Sequence, residues 1–391
     1  MTAAAGQTCS VLLGLSLSYS GGYSEGVIRG IANFAQGRPE WTFELQPPNA
    51  EGISKLLSAG AAGLIVNGLA EALDPALAKV ALPIVNVGSP LSNDRISTVT
   101  NDQEAIGELA AEHFLLRGYR AFGYCTQTGG ELDARLVGFQ KALKKRGADC
   151  QVFDVREALA HPERYPERRL PAWLLTQPKP LALFCMADFQ ARELSQECAA
   201  LGLKVPAEVA ILGVDNDISC ILGHPQLSSI EPSSQRIGYE AAQLLDELLT
   251  RGGAKRGIRV PPARVVIRTS TDPIVGTDEI ARGVLQYMRQ HLSDSQGIEQ
   301  VCGRFGLSRR QLERRFVAAT GCTPGLAWAG FRLEEAKRLL VETTLSMECI
   351  AKKSGYGDGK HFASSFKKAT GLTPSRFREL MSNWNTSATS E

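Results

Sequence analysis

The chain has 391 residues, 43% of them apolar and 21% charged, with a net charge of +2. At roughly 100–200 residues per domain there is room for two or three ordinary globular domains, which excludes a disordered or fibrous chain. No apolar run reaches the roughly 20 residues of a membrane helix, and nine cysteines without a CxxC pair, beside five dispersed histidines, exclude a disulfide framework and metal-ligand spacing.

From the N-terminus, MTAAAGQTCSVLLGLSLS lacks the basic start of an export signal, and its apolar run is broken by Gly and Ser like a buried strand. The expectation is a cytoplasmic protein with no membrane partner, no metal and no cofactor. Residues 8–270 then alternate apolar strands (VLLGLSLS, FELQ, GLIVN, PIVNVG, ISTVTND, AFGYC, QVFDV, LALFCM, VAILGVD, ARVVIRTS) with helices such as EGVIRGIANFAQ, EAIGELAAEHFLLRG and LVGFQKALKKRG. Repeated β-α units imply parallel sheets covered on both faces. This length suits two such sheets.

Open parallel sheets bind ligands beyond the carboxyl ends of their strands. The polar residues at these exits are Ser18, Tyr19, Asn67, Asp102, Asp188, Asp215 and Asn216, and Arg135 opens a helix after a Gly-rich loop. Carboxylates and an Arg fork facing one cleft suit vicinal hydroxyls, with Tyr19 as a flat wall. Any one of the Asp or Asn residues also suits a helix cap. No catalytic residue stands out: there is no GxSxG elbow, and SGGYSEG lacks the lysine and spacing of a phosphate cradle.

The runs STVTNDQEAIGELAAEHFLLRGYRAFGY, ARLVGFQKAL and VPAEVAILGVDND…HPQLSSIEPSSQRIGYEAAQLL resemble the effector-binding core of the lactose/galactose-repressor family. The resemblance implies a periplasmic-binding-protein-like domain over residues 1–270, with a sugar between two α/β lobes. Lobe one would run over about 8–116 plus a helix near 235–251, and lobe two over about 117–230 plus a strand near 264–270. It implies sugar contacts from Asp102, Arg135 and Asp215, with Tyr19 and Asp188 beside them. That family's DNA-binding headpiece precedes the core, whereas here the first strand begins near residue 8, so a DNA reader is expected elsewhere.

Residues 271–279 read as a polar hinge, 280–382 as an all-α domain and 383–391 as a flexible tail. From residue 277 onward there are 17 Lys and Arg against 12 Asp and Glu, a net of +5, leaving −3 on the remainder. A basic tail domain points to a polyanion partner, with chance asymmetry as the competing explanation. The phrase FVAATGCTP (316–324) returns fifty residues later as FKKATGLTP (366–374). Each copy closes the second helix of a pair. In the first pair, Ile298, Val301, Cys302 and Phe305 form one stripe, Gly306 makes the turn, Ser308 suits an N-cap, and the second helix carries Arg309, Arg310, Glu313, Arg314 and Arg315 around Leu312 and Phe316. In the second pair the turn is expected to be one residue longer, and Lys360, His361, Ser364, Lys367 and Lys368 surround Phe362 and Phe366. The helix between the pairs, 325–343, has 19 residues. It would span roughly 28 Å at about 1.5 Å per residue, of the order of the 34 Å between successive major-groove faces.

The stretch 280–380 resembles the DNA-binding domain of the AraC/XylS activators, which places base contacts on Arg310, Glu313 and Arg314 in one reader and on Lys360, His361 and Ser364 in the other. Ser364 is short for a base contact. Arg309 and Lys367 are further candidates, Lys367 toward phosphate. One family joins these two parts in this order, the xylose-operon regulator type. It implies a non-enzymatic transcription activator of sugar catabolism that answers to a monosaccharide, D-xylose favoured. It also implies a homodimer on a double-stranded operator with repeated half-sites, with RNA polymerase as a further partner. The alternatives are another sugar effector, or a body that only dimerises. A sugar-processing enzyme with a helical appendage is opposed by the duplicated basic helices.

Overall fold

The computed structural model describes residues 11–17, 22–67, 70–89, 91, 93, 95–126, 133–155, 169–272, 278–293, 297–320 and 322–382. They form two compact units, 1–102 with 233–261, and 103–232 with 262–391. The chain therefore passes from one unit to the other after Asp102, Pro232 and Pro261.

The first unit opens with β1 (Val11–Ser16), α1 (Gly22–Ala35), β2 (Trp41–Gln46), α2 (Ala50–Ser58), β3 (Gly63–Val66), α3 (Ala70–Leu77), β4 (Ile84–Asn86) and β5 (Ser97–Asn101). The chain then builds α4 (Gln103–Leu116), β6 (Ala121–Thr126), α5 (Ala134–Lys144), β7 (Cys150–Asp154), α6 (Arg169–Thr176), β8 (Leu181–Cys185), α7 (Asp188–Ala200), β9 (Val209–Val214) and β10 (Ser228–Glu231) of the second unit. It returns to the first for α8 (Ser234–Arg251) and β11 (Gly257–Val260), and to the second for β12 (Arg264–Val266).

Each unit holds one six-stranded sheet, ordered β11-β5-β4-β3-β1-β2 and β12-β10-β9-β8-β6-β7. All pairings are parallel except β10 with β12. Strands β3, β8 and β9 are buried along their whole length, as double-sided cover requires. The two sheets expected from the alternating pattern are present.

One helix lies elsewhere than expected. Lobe one was to run to about residue 116, but α4 belongs to the second unit. The cause is close packing of α4 on α5. A Cβ on Gly107 would fall 2.0 Å from Arg135 O, and one on Gly138 would fall 2.0 Å from Glu104 O. Ile106, Ala110 and Phe114 of α4 share a core with Phe139 and Phe184. The expected hinge also starts differently. Thr271 is fully buried, its hydroxyl 2.6 Å from Ser228 Oγ, and Asp272 pairs with Arg289.

The C-terminal part of the second unit is helical: α9 (Glu279–Gln290), α10 (Ile298–Phe305), α11 (Arg309–Thr320), α12 (Pro324–Glu342), α13 (Met347–Lys353), α14 (Gly359–Thr370) and α15 (Pro374–Ser382). Val284, Met288, Val301, Leu312, Phe316 and Phe331 make one core, and Leu339, Leu340, Ile350, Phe362, Phe366 and Phe377 make a second. Helix α12 contributes to both, so it is the strut between two helix pairs. No helix among the described residues is long and apolar enough to cross a membrane.

Candidate functional site

In the second unit the strand exits gather Arg135, Asp188 and Asp215. Asp133 caps α5, accepting from Arg135 N at 3.0 Å, while its other oxygen takes Tyr124 Oη at 2.6 Å and Thr126 Oγ1 at 3.1 Å. This fixes the start of α5 and aims Arg135. The guanidinium donates Nε to Gln103 Oε1 at 2.6 Å and Nη1 to Met186 O. Burial raises the Asp215 carboxyl above the ordinary range, and the charge of Arg135 offsets part of the rise.

Asp215 and Asn216 take φ of 104° and 49°. Side chains rarely adopt this region, and each such residue costs about 1–3 kcal/mol and persists only where its surroundings hold it. Here three successive amides are tied: Asp215 N to Ile230 O at 3.0 Å, Asn216 N to Ser229 Oγ at 2.9 Å and Asp217 N to Asp188 Oδ2 at 2.8 Å. Arg268 Nη2 adds a bond to Asn216 Oδ1 at 2.7 Å. Asp188 therefore sits beneath this turn, only 2% exposed, with a carboxyl that burial raises to about 7 despite the amide of Asp217. Its observed contacts position the turn that presents Asp215.

In the first unit Asp102 follows β5, half-buried, with its amide bonded to Val260 O at 2.8 Å. Asn67 follows β3, its side-chain oxygen lying over Gly88, where a Cβ would come within 2.1 Å. Tyr19 lies outside the described residues.

Both helix pairs have helix-turn-helix form. Gly306, at φ 64°, ends α10. Ser308 and Gln311 cap α11 reciprocally, Gln311 N to Ser308 Oγ at 3.3 Å and Ser308 N to Gln311 Oε1 at 2.9 Å. In the second pair Ser346 caps α13 and Asp358 caps α14. The linking turn is 354–358 against 306–308, two residues longer rather than one. The cause is an earlier end to α13, since α11 and α14 keep the fifty-residue register.

Arg309, Arg310, Glu313, Arg314, Lys360, His361, Ser364 and Lys367 are all exposed. The first-reader arginines separate by their partners. Arg309 bridges Glu299 and Glu313, each at 3.2 Å, and Arg315 is bonded to Asp278 at 2.6 Å. Arg310 and Arg314 form no ion pair among the described residues. The helix thus presents two uncommitted forks, the donor geometry that matches guanine edges or phosphates.

The repeated phrase closes each reader in the same way. Thr320 and Thr370 donate to Phe316 O and Phe366 O at 2.7 and 2.8 Å, and Thr323 and Thr373 cap the following helices. Gly371 takes φ 75°, a left-handed cap that glycine adopts at little cost, while Gly321 lies outside the described residues. The contacts of Gln103, Asp133, Asp217 and Arg268 were not foreseen. Asp133 alone had a local signal, as an Asp directly before a helix.

Residues 111–271 match the periplasmic binding protein-like domain, and residues 301–380 match the helix-turn-helix domain. Across both parts the chain is 30% identical to the xylose operon regulatory protein of Escherichia coli strain K12, over 92% of this chain and 95% of the relative. The chain belongs to the xylose operon regulatory protein family. A family member from Haemophilus influenzae is 28% identical over 72% of this chain and 74% of its own. The solved structure of a xylose-binding transcription activator superposes with a TM-score of 0.57 at 28% identity, covering 94% of this chain and 98% of its own. As a xylose operon regulatory family member, the chain is a sugar-responsive, DNA-binding transcription regulator and not an enzyme.

Proposed function

We propose that this protein binds D-xylose at the strand ends of its α/β lobes and activates transcription of sugar-catabolism genes in the cytoplasm, as a homodimer on repeated half-sites that engages RNA polymerase. The observation that carries this reading is similarity to a xylose operon regulator across effector domain and readers together. Asp215 and Asp102 would accept from sugar hydroxyls, and Arg135 would donate to them. Asp188 would act through the 215–217 turn. Arg310, Arg314 and Glu313 would face bases in one groove, Lys360, His361 and Ser364 in another, and Lys367 a phosphate. Arg309, already shared by two glutamates, would contribute less.

Sugar can shift DNA binding only as far as its affinities for the two states differ. Calorimetric titration of the full chain with D-xylose, L-arabinose, D-ribose and D-glucose tests the effector. Saturable binding with xylose tightest supports the proposal. Tighter binding of another sugar replaces xylose as effector, and no binding rejects the sugar site.

A further inference from the structure

Helix α4 touches the candidate sugar site at one end and the DNA-reading domain at the other. Gln103, its first residue, accepts from Arg135 Nε at 2.6 Å. Near its last turn, fully buried Arg117 donates Nη1 to His113 O at 3.1 Å and to Glu334 Oε1, on the strut α12, at 3.4 Å. His113 Nε2 lies 2.9 Å from Thr271 Oγ1. Arg120, exposed just beyond, donates Nε to Ala319 O at 2.7 Å and Nη2 to Val317 O at 3.4 Å. These are carbonyls of the last turn of α11, where acceptors lack intrahelical partners and the helix dipole favours a cation. A Cβ on Gly330 of α12 would come within 2.7 Å of the Leu116 side chain, so strut and α4 lie close.

This joint is held but not optimised. Arg117 Nε and Nη2 and the Tyr119 hydroxyl are buried without a hydrogen-bond partner among the described residues. A cavity of about 360 Å³ is lined by His113 and Leu116 of α4 and by Glu334 and Lys337 of the strut, among others. Buried polar groups without partners penalise the arrangement that contains them. A second arrangement of strut against α4 is therefore within reach of a modest bias.

We infer that Arg117 and Arg120 are the positioning residues through which the effector lobe sets the first DNA reader. The inference rests on the proposed control by sugar. A sugar that engages Arg135 changes what Gln103 holds at one end of α4, and the two arginines at the other end hold the strut and the close of α11.

The test is the dissociation constant of the full chain for a selected operator duplex, with and without saturating D-xylose, for wild type, Arg120→Ala and Glu334→Gln. The wild-type ratio is expected in the range of roughly fivefold to 150-fold, and the variant ratios within about twofold of one. Both variants should still bind D-xylose by calorimetry. Variants that keep the wild-type ratio overturn the inference and leave sugar control standing. Variants that lose xylose binding overturn it too, because the residues would then support the effector site itself. A wild-type ratio of one overturns the control by xylose on which the inference rests. If Glu334→Gln fails to fold, Arg120→Ala decides, since its side chain is exposed.

Discussion

Arg117 of the effector lobe and Glu334 of the strut helix form an ion pair, Nη1 to Oε1 at 3.4 Å, with the arginine side chain wholly buried. Burial alone would raise the Glu334 carboxyl, but Arg117 and His113 outweigh it and hold it at about 2. Burial and the charge of Arg117 push the His113 imidazole down to about 4, so His113 is neutral at neutral pH. Removing one partner of such a pair strands the other. Glu334→Ala should therefore cost about 3–5 kcal/mol, and replacing both residues with apolar side chains of similar volume should recover most of it. Urea unfolding of the single and double variants checks this. A single variant within about 0.5 kcal/mol of wild type would deny the pair any structural weight.

Asp188 gives a pH signature. Its carboxyl titrates near 7 in the folded chain against an ordinary 3.8. Between those values the folded state holds a proton that the unfolded state has released, so stability falls as pH rises through the window. Asp188→Asn removes that slope. The variant should gain on wild type between about pH 4 and about pH 7, read from urea midpoints. A constant difference across that range would contradict the assignment.

Gly107 packs against the backbone of Arg135, a residue of the proposed sugar site. A Cβ there would meet the backbone oxygen of Arg135 at 2.0 Å, so α4 and α5 must separate. Gly107→Ala should cost about 1–3 kcal/mol by overpacking and also weaken sugar binding, because Arg135 moves with its helix. Gly303→Ala, on α10 with open space around it, is the control. It should be neutral or stabilising by about 0.5–1 kcal/mol, with sugar affinity unchanged.

Base and phosphate contacts proposed for the two readers leave different signatures. Arg314→Ala should cost about 1–3 kcal/mol and relax preference at one base pair. Lys367→Ala should weaken all sequences alike and flatten the salt slope by about one unit. Arg309→Ala should cost less than Arg314→Ala, because Glu299 and Glu313 already engage it. Binding to a panel of single-base operator variants at several salt concentrations reads all three. A uniform loss from Arg314→Ala would reject its role at a base.

Much of this architecture is visible in the chain because its signals are local. Most strands announce themselves as apolar runs, some of them ending in Asn, Gly or Asp, and the fifty-residue period exposes both readers. Strands β10 and β11 are less legible: Ser228–Glu231 is polar at its start, and Gly257–Val260 follows a glycine-rich, charged stretch. Pairing with β9 and β5 defines them. The assignment of α4 depends on Gly107 meeting α5, a contact its own periodicity does not show. At the proposed sugar site, Asp215 stands out as a polar residue at a strand exit and Arg135 as one that opens a helix. Gln103 and Arg268 act on partners 32 and 52 residues away and carry no local mark.

Sugar control of DNA binding joins the two parts of this chain. It is tested most directly by the binding isotherm of the full protein on a selected operator duplex, at fixed salt, with and without saturating D-xylose. A midpoint shift of roughly fivefold or more is expected. Superimposable isotherms would contradict it.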